Sequence, residues 1–258
     1  MALLFEVEDR IATITLNRPE VMNAMDPATY RELSEAWRTV RDDPDIWAAI
    51  ITGAGDRSFT SGADLRGVSG QLANEPWRFW QTQTDQLLNR GLEVWKPVIA
   101  AVNGYCLGGG MTLLLATDIR IASTNATFAL SEVKRGILPA NGGTQRTLRQ
   151  LPYPVAMELL LTGDRIDAER ARTIGLISDV VESDQLMIKA REVATKICEN
   201  GPLAVRAIKE LAVRSQYLNL DDGLRMEQAI ARVLGSTEDA KEGISAFNEK
   251  RTANFEAK

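Results

Sequence analysis

The sequence contains no histidine. Every mechanism built on an imidazole is therefore excluded: Ser-His-Asp and Cys-His nucleophiles, HExxH zinc sites, haem on a proximal histidine. Cysteine is almost as scarce. Cys106 and Cys198 are the only two; without CxxC spacing they read as reduced thiols of a cytoplasmic protein, not as a disulfide framework. A basic excess is also missing. The 30 Lys and Arg stand against 35 Asp and Glu, a net charge of −5, which argues against nucleic acid or an anionic membrane surface as partner. Glu6, Glu8 and Asp9 interrupt the first apolar residues before a secretory h-region could form. One uncharged run, Pro97 to Thr117, has the length of a membrane span. Pro97, Asn103 and four glycines split it into PVIAAV, a glycine turn and MTLLLAT, so it is predicted to be a buried strand, loop and helix.

What is present is ordinary globular material: 258 residues, 45% hydrophobic and 25% charged, enough to bury a core without staples. Residues 11–16 alternate, with Ala12, Ile14 and Leu16 on one side and Thr13 and Thr15 on the other, as in a half-buried strand. Asp26 and Pro27 read as N-cap and first helical residue, and Tyr30, Leu33, Trp37 and Val40 follow at helical spacing to a stop near Asp42-Asp43-Pro44. Strand signals recur at 47–52, 98–102 and 118–123, and the segment 70–93 reads as helix. Beyond Gly142 helical periodicity dominates, over 154–161, 167–174, 184–199, 202–214, 220–234 and 238–250. The order predicts an α/β core with a C-terminal helical extension, divided near 195–200.

Phosphate-binding and nucleophile motifs fail in turn. Gly53-Ala54-Gly55-Asp56-Arg57-Ser58 has serine where a dinucleotide fingerprint needs its third glycine, no GxxxxGK[ST] occurs, and Ser69 lies outside any GxSxG. Cys106, with no partner base, reads as a small buried hydrophobe. Two glycine-bearing turns remain, Ser61-Gly62-Ala63-Asp64 and Gly104-Tyr105-Cys106-Leu107-Gly108-Gly109-Gly110. Side-chain-poor turns let backbone approach a ligand, and free amides before a helix suit a developing negative charge such as a thioester oxygen becoming an enolate. A tight turn that merely packs helix on strand is the other reading these residues leave open.

Long stretches resemble the enoyl-CoA hydratase/isomerase (crotonase) superfamily: LNRPEVMNAMD (16–26), ITGAGDRSFTSGADL (51–65), KPVIAAVNGYCLGGG (96–110), FALSEVKRGILPANGGTQR (128–146), LLLTGDRIDAERARTIGLISDVV and EGISAFNEKRTANF. The resemblance implies a crotonase-like spiral of ββα units over residues 1–195, which binds the CoA thioester and carries catalysis. It implies a helical trimerisation region over 196–258, and trimers or dimers of trimers. It implies an acyl-CoA thioester substrate, with no metal and no cofactor beyond the coenzyme A of the substrate. By the same resemblance, the backbone N–H groups of Ala63 and Gly109 form an oxyanion hole, and Ala63, Asp64, Leu65 and Arg66 lie along the CoA. Arg18, Arg66 and Lys250 are candidates for its phosphates. Glu132 matches the second of the two glutamates that hold water in the hydratases; the first is replaced here by Thr112, which can hydrogen-bond water or substrate but cannot accept a proton near neutral pH. That departure keeps three reactions open. A hydratase-type lyase leads. A Δ3-Δ2-enoyl-CoA isomerase, working with one glutamate, is the second. A hydroxycinnamoyl-CoA hydratase-lyase-like enzyme also keeps that glutamate and has serine at the Thr112 position, although the tyrosine of those lyases has no counterpart here. Trp77, Phe79 and Trp80 fall in the variable acyl-pocket segment. A non-catalytic CoA-binding subunit is the reading from outside the enzymes.

Overall fold

The computed structural model describes residues 1–64 and 87–258. The first two strands, β1 (Leu3–Glu8) and β2 (Ile11–Leu16), form an antiparallel hairpin. Asp9 and Arg10 turn it with φ of 51° and 66°, the left-handed pair that a two-residue turn needs to follow the twist of its strands. Helix α1 (Pro27–Asp42) begins at the expected cap, with Asp26 accepting from the Thr29 N–H at 2.8 Å and Pro27 at the first position.

The chain then makes three similar passes: β3 (Ala48–Gly53) and β4 (Ser58–Thr60), β5 (Val98–Val102) and β6 (Tyr105–Leu107), β7 (Ile119–Ser123) and β8 (Thr127–Ala129). Helix α2 (Gly109–Leu114) links β6 to β7. The remaining elements are α3 (Gly143–Gln150), α4 (Tyr153–Thr162), β9 (Ile166–Asp167), α5 (Ala168–Thr173), β10 (Asp179–Val181), α6 (Leu186–Cys198), α7 (Pro202–Arg214), α8 (Leu220–Gly235) and α9 (Glu238–Glu249). In each pass the first strand joins a large sheet, ordered β1-β2-β3-β5-β7-β10, and the second joins a small one, ordered β4-β6-β8-β9. The result is a spiral.

Both faces of the large sheet are covered, which is why β3 and β5 read as unbroken apolar runs. Ala12, Ile14, Leu16, Ala49 and Ile51 share the main core with Leu33 and Trp37 of α1. Ile11, Ala48, Ile50, Ile99 and Ile121 pack instead on Leu186, Ala190 and Ala194 of α6. Strand β2 is therefore not half-buried as its alternation predicts, because α6 covers the face that carries Ile11 and Thr13. The expected helix over 70–93 also fails in its described part. Leu88–Arg90 is a single 3-10 turn, ended by Gly91 at φ 96°, a left-handed conformation that stops a helix. The rest of that segment, with Trp77, Phe79 and Trp80, lies outside the described residues.

Two asparagines lock the turns that carry the site. Asn103 accepts from the Gly53 N–H and donates to the Gly53 and Gly55 carbonyls, while Asn23 donates to the Ala54 and Ser58 carbonyls. A Cβ on Gly104 would collide with the Arg57 carbonyl, so only glycine lets β4 and β6 come together. Helix α7 is tied back by Lys209, which pairs with Asp118 at 2.7 Å and donates to the Lys96 carbonyl at 2.8 Å. The uncharged run from Pro97 to Thr117 forms strand β5 and helix α2 as expected, with a second short strand, β6, where a glycine turn was expected, and among the described residues no helix is long and apolar enough to cross a membrane.

Candidate active site

The two glycine turns meet. Residues 61–64 follow β4 and pair with Met25 as a parallel bridge at Ala63, with the Met25 N–H donating to the Gly62 carbonyl and the Asp64 N–H to the Met25 carbonyl, 2.8 and 2.9 Å. That pattern turns the N–H of Ala63 away from Met25. Gly62, at φ 97°, has its missing Cβ position 2.8 Å from the Gly109 nitrogen; the corresponding position on Gly109 is 3.2 Å from the Ala63 nitrogen. The two amides thus lie side by side. Neither donates to a protein acceptor among the described residues, and both residues are partly open to solvent. Such a pair can hold one anionic oxygen between two fixed donors.

Glu132 comes to the same place from below. It sits in the 3-10 turn Ser131–Arg135, which Gly136 closes in the left-handed conformation. Gly163 braces that turn from behind, its Cβ position 3.0 Å from Val133 and 3.2 Å from the Leu130 carbonyl. The Glu132 Oε1 lies 3.3 Å from where a Cβ on Gly108 would be, so the carboxylate faces the backbone that presents the Gly109 amide. Its Oε2 is buried and has no hydrogen-bond partner. Burial pushes the Glu132 carboxyl above its ordinary range, opposed by its own backbone N–H and by the Arg135 charge. A half-buried carboxyl with an unsatisfied oxygen and a raised pKa is suited to proton transfer.

Thr112 lies one turn along α2 from Gly109 and is 2% exposed. Its hydroxyl donates to the Gly109 carbonyl at 2.9 Å and accepts from Asn89 Nδ2 at 3.2 Å. Its only hydrogen is committed, and one lone pair remains. Gly143 closes the other side, its Cβ position 2.9 Å from Thr112 Cγ2. Asn89 was not anticipated; nothing in QLLNRGL singles it out.

Ala63, Gly109, Glu132 and Thr112 are therefore all brought to the Gly108–Gly109 turn. Asp64 is partly exposed and faces Arg18 at 3.5 Å, and Arg18 also pairs with Asp26 at 3.2 Å and donates to the Ala24 carbonyl. Lys250 is exposed at the end of α9, and Leu65 and Arg66 lie outside the described residues. Cys106 is fully buried, and burial pushes its thiol far above the ordinary range, as expected for a packing residue. No cluster of metal-ligating side chains occurs among the described residues.

The sequence model of the enoyl-CoA hydratase/isomerase family matches residues 6–258. The chain belongs to this family. It is 44% identical over 255 residues to an (E)-benzylidenesuccinyl-CoA hydratase of Thauera aromatica, covering 99% of each chain, and 40% identical over 257 residues to a crotonyl-CoA hydratase of Syntrophomonas wolfei, covering 99% and 98%. The crystal structure of an enoyl-CoA hydratase from Bacillus anthracis matches with a TM-score of 0.93 at 36% identity, covering 100% of both chains. The fold is accordingly that of the crotonases, with α7 to α9 as its C-terminal helices, and the protein is an acyl-CoA enzyme of the enoyl-CoA hydratase type.

Proposed function

We propose that this enzyme adds water reversibly across the double bond of a 2-enoyl-CoA thioester. One observation carries the reading: two unpartnered amides and one buried, unpartnered carboxylate oxygen meet on the single turn Gly108–Gly109. The thioester oxygen accepts from the Ala63 and Gly109 N–H groups, which oppose the charge that develops there as oxygen adds at C3. Glu132 takes one proton from the attacking water as the C–O bond forms. It returns a proton to C2 as the enolate collapses, so the carboxylate is regenerated. The free lone pair of Thr112 accepts the other hydrogen of the water and orients it. The scheme needs no metal and no cofactor besides the coenzyme A of the substrate. Arg66, with Ala63, Asp64 and Leu65, belongs to the CoA-binding segment in this reading.

A second reading is supported by the state of Thr112. Its committed hydrogen and lack of acid–base capacity leave Glu132 alone, as in a Δ3-Δ2-enoyl-CoA isomerase that moves one proton between carbons. The retained, destabilised carboxyl of Glu132 speaks against a non-catalytic CoA-binding subunit. The same reading makes the protein a cytoplasmic homo-oligomer, a trimer or a dimer of trimers assembled through residues 196–258. In support, α8 has no buried residue, and Leu220, Leu224 and Val233 are 76%, 48% and 67% exposed along it.

The test is Glu132→Gln, which keeps the volume but removes the basic lone pair. Turnover of crotonyl-CoA should fall by at least about 10²-fold, with CoA affinity nearly unchanged. A variant that keeps more than about a tenth of the rate removes Glu132 as the base.

A further inference from the structure

A cavity of about 370 Å³ carries three guanidinium groups, those of Arg90, Arg146 and Arg149. Thr112 does not line it, but its walls adjoin the surroundings of Thr112. Asn89, which donates to the Thr112 hydroxyl, lines it, and Gly142, the neighbour of the Gly143 that packs on Thr112, lines it too. No acidic side chain lines it, although the whole chain has an acidic excess. None of the three arginines is ion-paired among the described residues. Arg146 uses Nη1 on the Asn89 and Asn141 carbonyls at 3.2 and 3.1 Å. Arg149 uses Nη1 on Gln145 and lies 5.5 Å from the Tyr217 ring centre. The Nε of Arg90 is buried with no partner, and so is the Oδ1 of Asn141. Turning the Asn141 amide would present Nδ2 in that place instead.

Three unneutralised guanidiniums facing one cavity repel each other, and the partial burial of Arg90 and Arg146 raises the cost, while Arg149 is exposed. Burial holds the Arg146 guanidinium below its ordinary value; Tyr217 opposes this and Arg149 adds to it. A bound anion would relieve both costs. Arginine's planar fork matches a carboxylate with two parallel hydrogen bonds, and the volume exceeds the roughly 30 Å³ that one water occupies by enough to admit the end of an acyl chain.

We infer that this cavity is the subsite for a second, free carboxylate on the acyl chain, so that the preferred substrates are ω-carboxyacyl-CoA thioesters. The inference rests on the reading of the protein as an acyl-CoA enzyme whose thioester sits at Ala63 and Gly109. The chain then runs from those amides past Thr112, and its terminal carboxylate meets the arginines. Arg90 and Arg149 are specificity residues in this scheme, while Arg146 braces the walls.

The test is equilibrium binding by calorimetry with saturated thioesters that cannot turn over. Chains of four to eight carbons are compared in three forms: carboxylate-ended, the corresponding methyl ester, and methyl-ended. At the best length the carboxylate form should bind wild-type protein about tenfold or more tightly than its methyl ester, the scale of a charge-assisted hydrogen bond. The ratio should shrink to within about threefold in Arg90→Gln and Arg149→Gln, and with rising salt. The wild-type comparison needs no variant to fold. Equal or tighter binding of the methyl ester at every length overturns the subsite but leaves the acyl-CoA reading standing. If no acyl thioester binds better than free coenzyme A, that reading fails and the subsite with it.

Discussion

Gly62→Ala probes the meeting of the two turns directly. A Cβ at this position would stand 2.8 Å from both the Gly109 nitrogen and the Leu107 carbonyl oxygen. Ordinary contact begins near 3.4 Å, so the turns must separate by about 0.6 Å. Oxyanion donors act over a narrow range of about 2.7–3.1 Å, and losing one costs about 10²–10³ in kcat. The backbone adds a second effect, because alanine at φ 97° costs about 1–2 kcal/mol. Gly175→Ala separates the two effects. Gly175 has φ 78°, and nothing lies within 4 Å of its Cβ position, so it carries the conformational cost without the collision. Each variant should lower Tm, Gly175→Ala by about 2–4 °C per kcal/mol and Gly62→Ala by more. Hydration of crotonyl-CoA, followed through loss of the enoyl thioester absorbance, should fall by about 10²-fold or more in Gly62→Ala alone. Near-native kcat in a folded Gly62→Ala protein would refute the placement of the oxyanion between Ala63 and Gly109.

The parts of this molecule that were legible in the sequence are those where local chemistry and tertiary structure agree. Asp26 and Pro27 announce α1 because a cap and a fixed φ act within one turn of chain. Gly62 announces close backbone approach because a Cβ there would collide with the backbone of Leu107 and Gly109. Glu132 and the replacement of a family glutamate by Thr112 are visible through long ordered motifs. The failures have equally physical causes. Strand β1 carries Glu6 and Glu8 and is turned by Asp9-Arg10 rather than by an Asn-Gly pair, so its hairpin has no turn signature. The burial of β2 on both faces depends on α6, more than 170 residues later, and no local pattern contains that fact. The same limit hides the gathering of Arg90, Arg146 and Arg149, since a cavity charge is a property of the fold and not of any segment.

The pH dependence of stability tests the environment of Glu132. Its folded pKa is raised by burial, so between the ordinary carboxylate value and the raised one the folded state binds more protons than the unfolded state. Stability should therefore fall as pH rises through that window, and Glu132→Gln should flatten the slope in chemical denaturation; an unchanged slope would place the carboxyl in water. Thr112→Val addresses the role of the hydroxyl. Valine keeps the volume but removes both hydrogen bonds, leaving the buried Asn89 amide without its acceptor, which costs about 1–3 kcal/mol of stability. Two functional outcomes are separable because the hydroxyl touches two things. If its free lone pair orients the attacking water, hydration of a 2-enoyl-CoA should fall by about tenfold, the value of one positioning hydrogen bond of about 1.4 kcal/mol. Conversion of a 3-enoyl-CoA, which needs no water, should then change much less. If the hydroxyl acts only through its bond to the Gly109 carbonyl, the Gly109 amide shifts and both reactions fall by the same factor. Thr112→Ser restores the hydroxyl in either case and controls for folding. The proposed water ligand predicts unequal losses, and equal losses would reduce Thr112 to a brace for the oxyanion turn.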